Sequence, residues 1–184
     1  MSQAPVRHRT LVLSGSLRTG AVTTQVAHAA LAQELTGHEV VLHTGLDQLP
    51  LYNEDLDTDP ALPVVAALRA QVASADSLLV LSPVNNASIS AALKNALDWL
   101  SRPRNDAPLA GKPVTGLVTG YHSHGAEDHL EAILHATGAL SVPAPIPVLN
   151  LRTVNGNQAA YDPRVITAVT QALAALHLPD PAVA

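Results

Sequence analysis

The chain has no cysteine and no phenylalanine, and only one tryptophan, three tyrosines and one methionine. Without cysteine there can be no disulfide, no thiolate metal site and no cysteine nucleophile. That absence fits a cytoplasmic location. With so few aromatics, the core has to be built from Ala, Leu and Val, and any aromatic ring near a ligand is a scarce resource. Basic residues are also few: 10 Lys and Arg stand against 15 Asp and Glu, a net charge of −5. No basic stripe is available to neutralise a nucleic-acid backbone, so nucleic acid is not an expected partner. No apolar run approaches the ~20 residues of a membrane span. None before the first strand is long enough for a signal peptide. No internal repeat and no shift in composition marks a boundary, and 184 residues suffice for one domain with a full core.

What is present is alternation. Apolar strands are expected over residues 10–14, 39–43, 77–82, 113–119 and 140–149. Helices are expected over 20–35, 64–74, 89–101, 125–137 and 162–176, the last with Asp162 as N-cap and Pro163 at the first helical position. Five strands alternating with five helices predict a doubly wound α/β sheet, with right-handed crossovers placing helices on both faces. Pro143, Pro145 and Pro147 suit an edge strand, where a missing N–H costs little. The stretches 44–63 and 102–109 read as loops at the rim.

Two turns carry the chemistry. Leu11-Val12-Leu13-Ser14 empties into Gly15-Ser16-Leu17-Arg18-Thr19-Gly20 at the head of the first helix. The turn is not a P-loop, because Ala21 and Val22 stand where Lys and Ser/Thr would follow. Nor is it a dinucleotide fingerprint, because Leu17 occupies the second glycine position and the second strand ends in His43-Thr44. What remains is a helix start ringed by hydroxyls and Arg18, suited to an anion such as phosphate. An ordinary turn capped by Thr19 or Thr23 is the plain alternative. The second turn, Ser82-Pro83-Val84-Asn85-Asn86-Ala87-Ser88, offers amide and hydroxyl groups to the edge of a flat heteroaromatic ring. In a doubly wound sheet two such turns meet where strand order reverses. Together they point to a flavin mononucleotide site.

These segments resemble the NADPH-dependent FMN reductase family, the flavodoxin-like group that includes quinone, chromate and azo-dye reductases. Its first signature is met by Gly15-Ser16-Leu17-Arg18. Its second, P-E-Y-N-x-S-I-P-x-x-L-K-N-A-x-D-W, is met by Pro83, Asn86, Ser88, Ile89, Leu93-Lys94-Asn95-Ala96 and Asp98-Trp99. Leu49-Pro50-Leu51-Tyr52-Asn53-Glu54-Asp55 also fits, and the likeness runs from about Leu11 to Leu140. The departures are Val84-Asn85 for Glu-Tyr, Ala87 for Gly, Ser90 for Pro, and Ala21 and Thr23 for the Ser and Asn at the start of the first helix.

The resemblance implies a flavodoxin-like three-layer α/β sandwich with a five-stranded parallel sheet in the order 2-1-3-4-5. It implies an FMN-dependent oxidoreductase that draws on NADPH or NADH and passes electrons to a quinone, a free flavin or another small acceptor. Gly15, Ser16, Arg18, Thr23 and Thr24 would hold phosphate, and Pro83, Val84, Asn85 and Asn86 would line the ring. Thr119, Gly120 and Tyr121 would close the other side; the placement of Tyr121 alone, not the resemblance, suggests that it supplies the aromatic missing at position 85. No catalytic side chain and no metal is demanded, since the cofactor carries the reaction. A homodimer or homotetramer is implied, with the third helix near the interface.

Two other readings belong to different classes. Val84-Asn85 and Ala21 suit a flavodoxin-like binding module that has lost FMN. His122, His124 and His129, with Glu127 and Asp128, suggest a metal enzyme, but they match no known ligand spacing and read better as a polar loop entering a helix with an acidic first turn. Lys94 and Asp98, four apart, read as a helix pair or an oligomer contact.

Overall fold

The computed structural model describes residues 8–121, 125–144, 148–150, 154 and 156–177. Strands and helices alternate as β1 (His8–Ser14), α1 (Val22–Leu31), β2 (His38–His43), α2 (Pro63–Ala73), β3 (Ser77–Pro83) and α3 (Ala91–Leu100). They continue as β4 (Pro113–Gly120), α4 (Ala126–Ala136), β5 (Leu140–Ser141), β6 (Val148–Asn150) and α5 (Pro163–His177). Every strand pair is parallel. The order is β2-β1-β3-β4-β5, with β6 also beside β4. This is the flavodoxin-like 2-1-3-4-5 sheet, and its order reverses between β1 and β3.

Side-chain alternation along the strands divides the core into two layers. Leu11 and Leu13 face α2, α3 and α4 in one apolar cluster. Val12, Leu79 and Leu81 face α1 and α5 in the other. Gly116 lets α4 settle closely on β4, because a Cβ there would stand 2.5 Å from Cδ2 of Leu130.

The fifth strand is two short pieces on one edge of β4 rather than the single strand expected over 140–149. β5 pairs with Pro113 and Val114, and β6 with Val118, Thr119 and Gly120. Between them Pro143 brings no N–H to the ladder, so the chain leaves the sheet and returns. Helix α1 ends at Leu31 rather than at residue 35. The Gln33 side chain donates to Ala29 O at 2.9 Å and accepts from Thr170 Oγ1 at 2.8 Å, so this amide serves the helix end and ties it to α5. Asp162 is the expected cap of α5, its Oδ1 accepting from Arg164 N at 2.9 Å.

Helix α3 pins the loop after β2. Asn95 accepts from Tyr52 N at 2.7 Å and donates to Pro50 O at 2.9 Å. The buried Trp99 donates from Nε1 to the same Pro50 O at 2.9 Å and meets the Tyr52 ring edge-on at 5.0 Å. Arg69 of α2 bonds Trp99 O and Asp57, closing the loop against the helix pair. Lys94 and Asp98 form an ion pair at 2.6 Å along α3.

Candidate functional site

Three turns meet at the carboxyl edge of the sheet, after the adjacent strands β1, β3 and β4. The first, from Gly15 to Ala21, lies directly on the head of α3. Gly15 donates its N–H to Leu81 O at 2.7 Å. A Cβ on Gly15 would stand 2.4 Å from Ser90 Oγ and 2.9 Å from Leu93 Cβ. Only glycine allows that approach, which is the physical content of the Gly-Ser-Leu-Arg signature.

The turn opens into α1 without a side-chain cap. Ala21 is the N-cap residue and offers no acceptor, and the first turn of α1 holds no acidic residue. The cap expected from Thr19 or Thr23 is therefore not formed. The orphan N–H groups and the positive end of the helix dipole are left for an external anion. Thr24 Oγ1 donates to Arg18 O at 2.8 Å and Ala21 N to the same oxygen at 3.1 Å, fixing the turn. Arg18 itself is exposed. Ser16, Arg18, Thr19 and Thr24 line a cleft of about 300 Å³ whose far wall is the end of β2 and the segment after it, from Leu42 to Asp47. Ser14 Oγ also borders this cleft, buried and without a hydrogen-bond partner. Thr23 is placed differently from its expected role. Its hydroxyl is buried against Thr119 Oγ1 at 2.6 Å, so what it can offer an anion is its backbone N–H.

The second turn follows β3. Ser82 is buried and its Oγ accepts from Ser90 N at 2.9 Å. Ser90 in turn caps α3, its Oγ accepting from Leu93 N at 3.2 Å. Proline at position 90 could not make the first of these bonds, so Ser90 re-makes the junction with hydrogen bonds. Val84 N donates to Thr119 O at 2.9 Å, joining the second turn to the third. Asn85 and Ser88 then close a small hairpin by exchanging backbone bonds of 2.9 and 3.0 Å. Its two tip residues are left-handed, Asn86 with φ 49° and Ala87 with φ 61°. Asparagine tolerates that conformation; for alanine it costs about 1–2 kcal/mol relative to glycine.

The third turn runs from Thr119 and Gly120 to Tyr121, which is 62% exposed. His122 and His124 lie outside the described residues. His129, weighed with them as a metal ligand, instead places Nδ1 2.8 Å from Ser88 Oγ. Glu127 and Asp128 sit in the first turn of α4.

The structure thus gathers Gly15, Ser16, Arg18 and Thr24 at one turn, Pro83 to Asn86 at the next, and Thr119, Gly120 and Tyr121 at the third. Sequence reasoning missed the linking roles of Ser82 and Ser90. Their only signal was the replacement of proline by serine at position 90. It also missed the wall after β2. Arg102 and Arg104 are remote from the three turns. They line a groove of about 420 Å³ with Thr137 and Gly138, at the end of α3 away from Ser90.

An uncapped helix start with Arg18 and hydroxyls beside a ring-sized polar turn fits the phosphate and the ring of a mononucleotide flavin. Comparison with known proteins agrees with that fit. Residues 8–153 match the family model described as NADPH-dependent FMN reductase. A quinone reductase from Escherichia coli is 38% identical over 142 residues, 73% of each chain. A 2-hydroxy-1,4-benzoquinone reductase from a Burkholderia species is 39% identical over 128 residues, 66% of this chain and 67% of that one. A probable NADPH:quinone oxidoreductase 2 from rice is 44% identical over 107 residues, and the match spans only 53% of its length. Among solved structures, the flavoenzyme FerB from Paracoccus denitrificans superposes with a TM-score of 0.73 at 22% identity, covering 92% of this chain and 95% of that one.

Proposed function

Because the chain belongs to the NADPH-dependent FMN reductase family, we propose that it is an FMN-dependent NAD(P)H oxidoreductase that reduces a quinone, a free flavin or another small acceptor. The observation that carries the reading is the uncapped start of α1 beside Arg18, packed through Gly15 onto the head of α3, where the ring turn ends. In this reading Gly15, Ser16 and Arg18 hold the phosphate. They do so with the first-turn N–H groups of α1, to which Thr23 and Thr24 contribute. Pro83, Val84, Asn85 and Asn86 line the ring, and Thr119, Gly120 and Tyr121 close its other side.

FMN, when bound, would supply the redox chemistry between NADPH or NADH and the acceptor. The chain's own part is to bind and orient. The dipole of α1 and Arg18 attract the phosphate. The bond from Val84 N to Thr119 O fixes the spacing between the two ring-facing turns. No side chain is required as nucleophile or general base. A homodimer or homotetramer and a cytoplasmic location belong to the same proposal. Size-exclusion chromatography with light scattering tests the first, and the absence of cysteine accords with the second.

The test is the visible spectrum of the purified protein, with an FMN titration if it is colourless. The expected result is a yellow protein, or one that takes up FMN at micromolar concentration, bleached by NADPH and recoloured by a quinone. A protein that ignores FMN would overturn the proposal and leave the binding-module reading. Within the proposal, Tyr121→Ala is expected to weaken FMN binding several-fold through lost ring contact. An unchanged affinity would remove Tyr121 from the site.

A further inference from the structure

The hairpin from Val84 to Ser88 holds two consecutive left-handed residues, one of them an alanine. Such backbone persists where surrounding contacts over-determine it. Asn85, Asn86 and Ala87 are exposed, so packing does not hold them. The segment from Pro83 to Ile89 contains no ionisable side chain, so no ion pair can hold it. The backbone bonds between Asn85 and Ser88 close the hairpin upon itself without anchoring it, and Val84 N anchors only its base to Thr119 O. Val84 packs against the core at the base of the hairpin, and beyond it the hairpin has one described side-chain hydrogen bond to the rest of the molecule: Ser88 Oγ at 2.8 Å from Nδ1 of His129 on α4.

Resting on the FMN reading above, we propose that His129 is a positioning residue. Through Ser88 it holds the ring-facing hairpin in its binding shape before any ligand arrives. A preformed turn does not have to be ordered on binding, so the tether acts on cofactor affinity rather than on global stability. Both partners lie at the surface, where a single side-chain bond adds little to folding.

The experiment uses the full chain as wild type and as His129→Ala, Ser88→Ala, the double variant and His129→Asn, whose side-chain amide occupies the place of Nδ1. FMN titration is followed by quenching of its fluorescence and displacement of its visible bands. Each alanine variant is expected to bind FMN about 3- to 10-fold more weakly. The double variant should be no weaker than either single one, because the same bond is lost in all three. His129→Asn should return to within about twofold of wild type, and thermal midpoints should stay together. Unchanged affinity in the single variants, or losses that multiply in the double, would overturn the tether.

A second arm needs no flavin. In the ligand-free protein, the amide resonances of Asn85, Asn86 and Ala87 should move in His129→Ala and return in His129→Asn. Amides that ignore both substitutions refute the proposal even if wild type binds no FMN. Failure of wild type to bind FMN, with the amides responding, refutes the cofactor reading alone.

Discussion

At the scale of single residues, two backbone positions govern the site. Ala87 sits at φ 61°, a region natural to glycine. Ala87→Gly is expected to raise stability by about 0.5–1 kcal/mol, the relief at the tip exceeding glycine's added freedom in the unfolded chain. Urea unfolding checks this, and a lower midpoint would mean the strain is not there. Gly15 is the opposite case. Gly15→Ala drives a Cβ to 2.4 Å from Ser90 Oγ and 2.9 Å from Leu93 Cβ. The serine hydroxyl can rotate away, but the leucine Cβ is fixed to the helix, so the turn must lift from α3. The expected losses are about 1–3 kcal/mol of stability by overpacking and at least tenfold in FMN affinity, read by denaturation and by flavin titration.

At the scale of elements, the helix with the most recognisable sequence acts on a loop. Asn95 of α3 accepts from Tyr52 N and donates to Pro50 O. Asn95→Ala leaves the part-buried Tyr52 N–H unpaired and weakens the hold on a carbonyl still served by Trp99. The expected cost is about 1–3 kcal/mol. Asn95→Asp keeps the acceptor for Tyr52 N and loses the donor to Pro50, so its cost should be different and separable by chemical denaturation. The elements themselves were legible because α/β alternation writes itself as apolar runs punctuated by glycine, proline and polar turns. That is why the two turns after β1 and β3 could be bounded from the sequence. The broken fifth strand was not legible, although its prolines were noticed. A missing N–H marks an edge, but whether the ladder resumes depends on the partner strand. Ser82, Ser90 and His129 were illegible for a related reason. A serine in a turn looks alike whether it faces solvent or its own helix head, as Ser82 and Ser90 do, and only the packing of α4 beside the turn after β3 brings His129 to Ser88.

At the scale of the whole molecule, one edge of the sheet carries a histidine cluster. At the edge away from the turns, His8, His38 and His177 gather from β1, β2 and α5. Their ring centroids lie 5.0 and 5.1 Å apart, with His8 Nε2 on Ser77 Oγ and His38 Nε2 on Thr10 Oγ1. Burial, then the neighbouring imidazoles, push His38 down to about 4, against a slight upward pull from Asp76. Burial also lowers His8, with Asp76 opposing and His177 adding to the effect. A histidine depressed in the folded state binds its proton more readily once unfolded. Its contribution is therefore fully present above the ordinary value near 6.5 and is lost as pH falls toward 4. Urea midpoints should fall across that window, and His38→Gln should flatten the dependence; a wild-type profile flat from pH 7 to 4.5 would contradict it. The three turns lie at the other edge. The same separation of duties runs through α3. Its signature side chains Asn95 and Trp99 both reach Pro50 O, so these two serve the scaffold, while Leu93 of the same stretch packs against the turn at Gly15. Likeness along that helix vouches for ancestry, and the colour of the purified protein vouches for the cofactor.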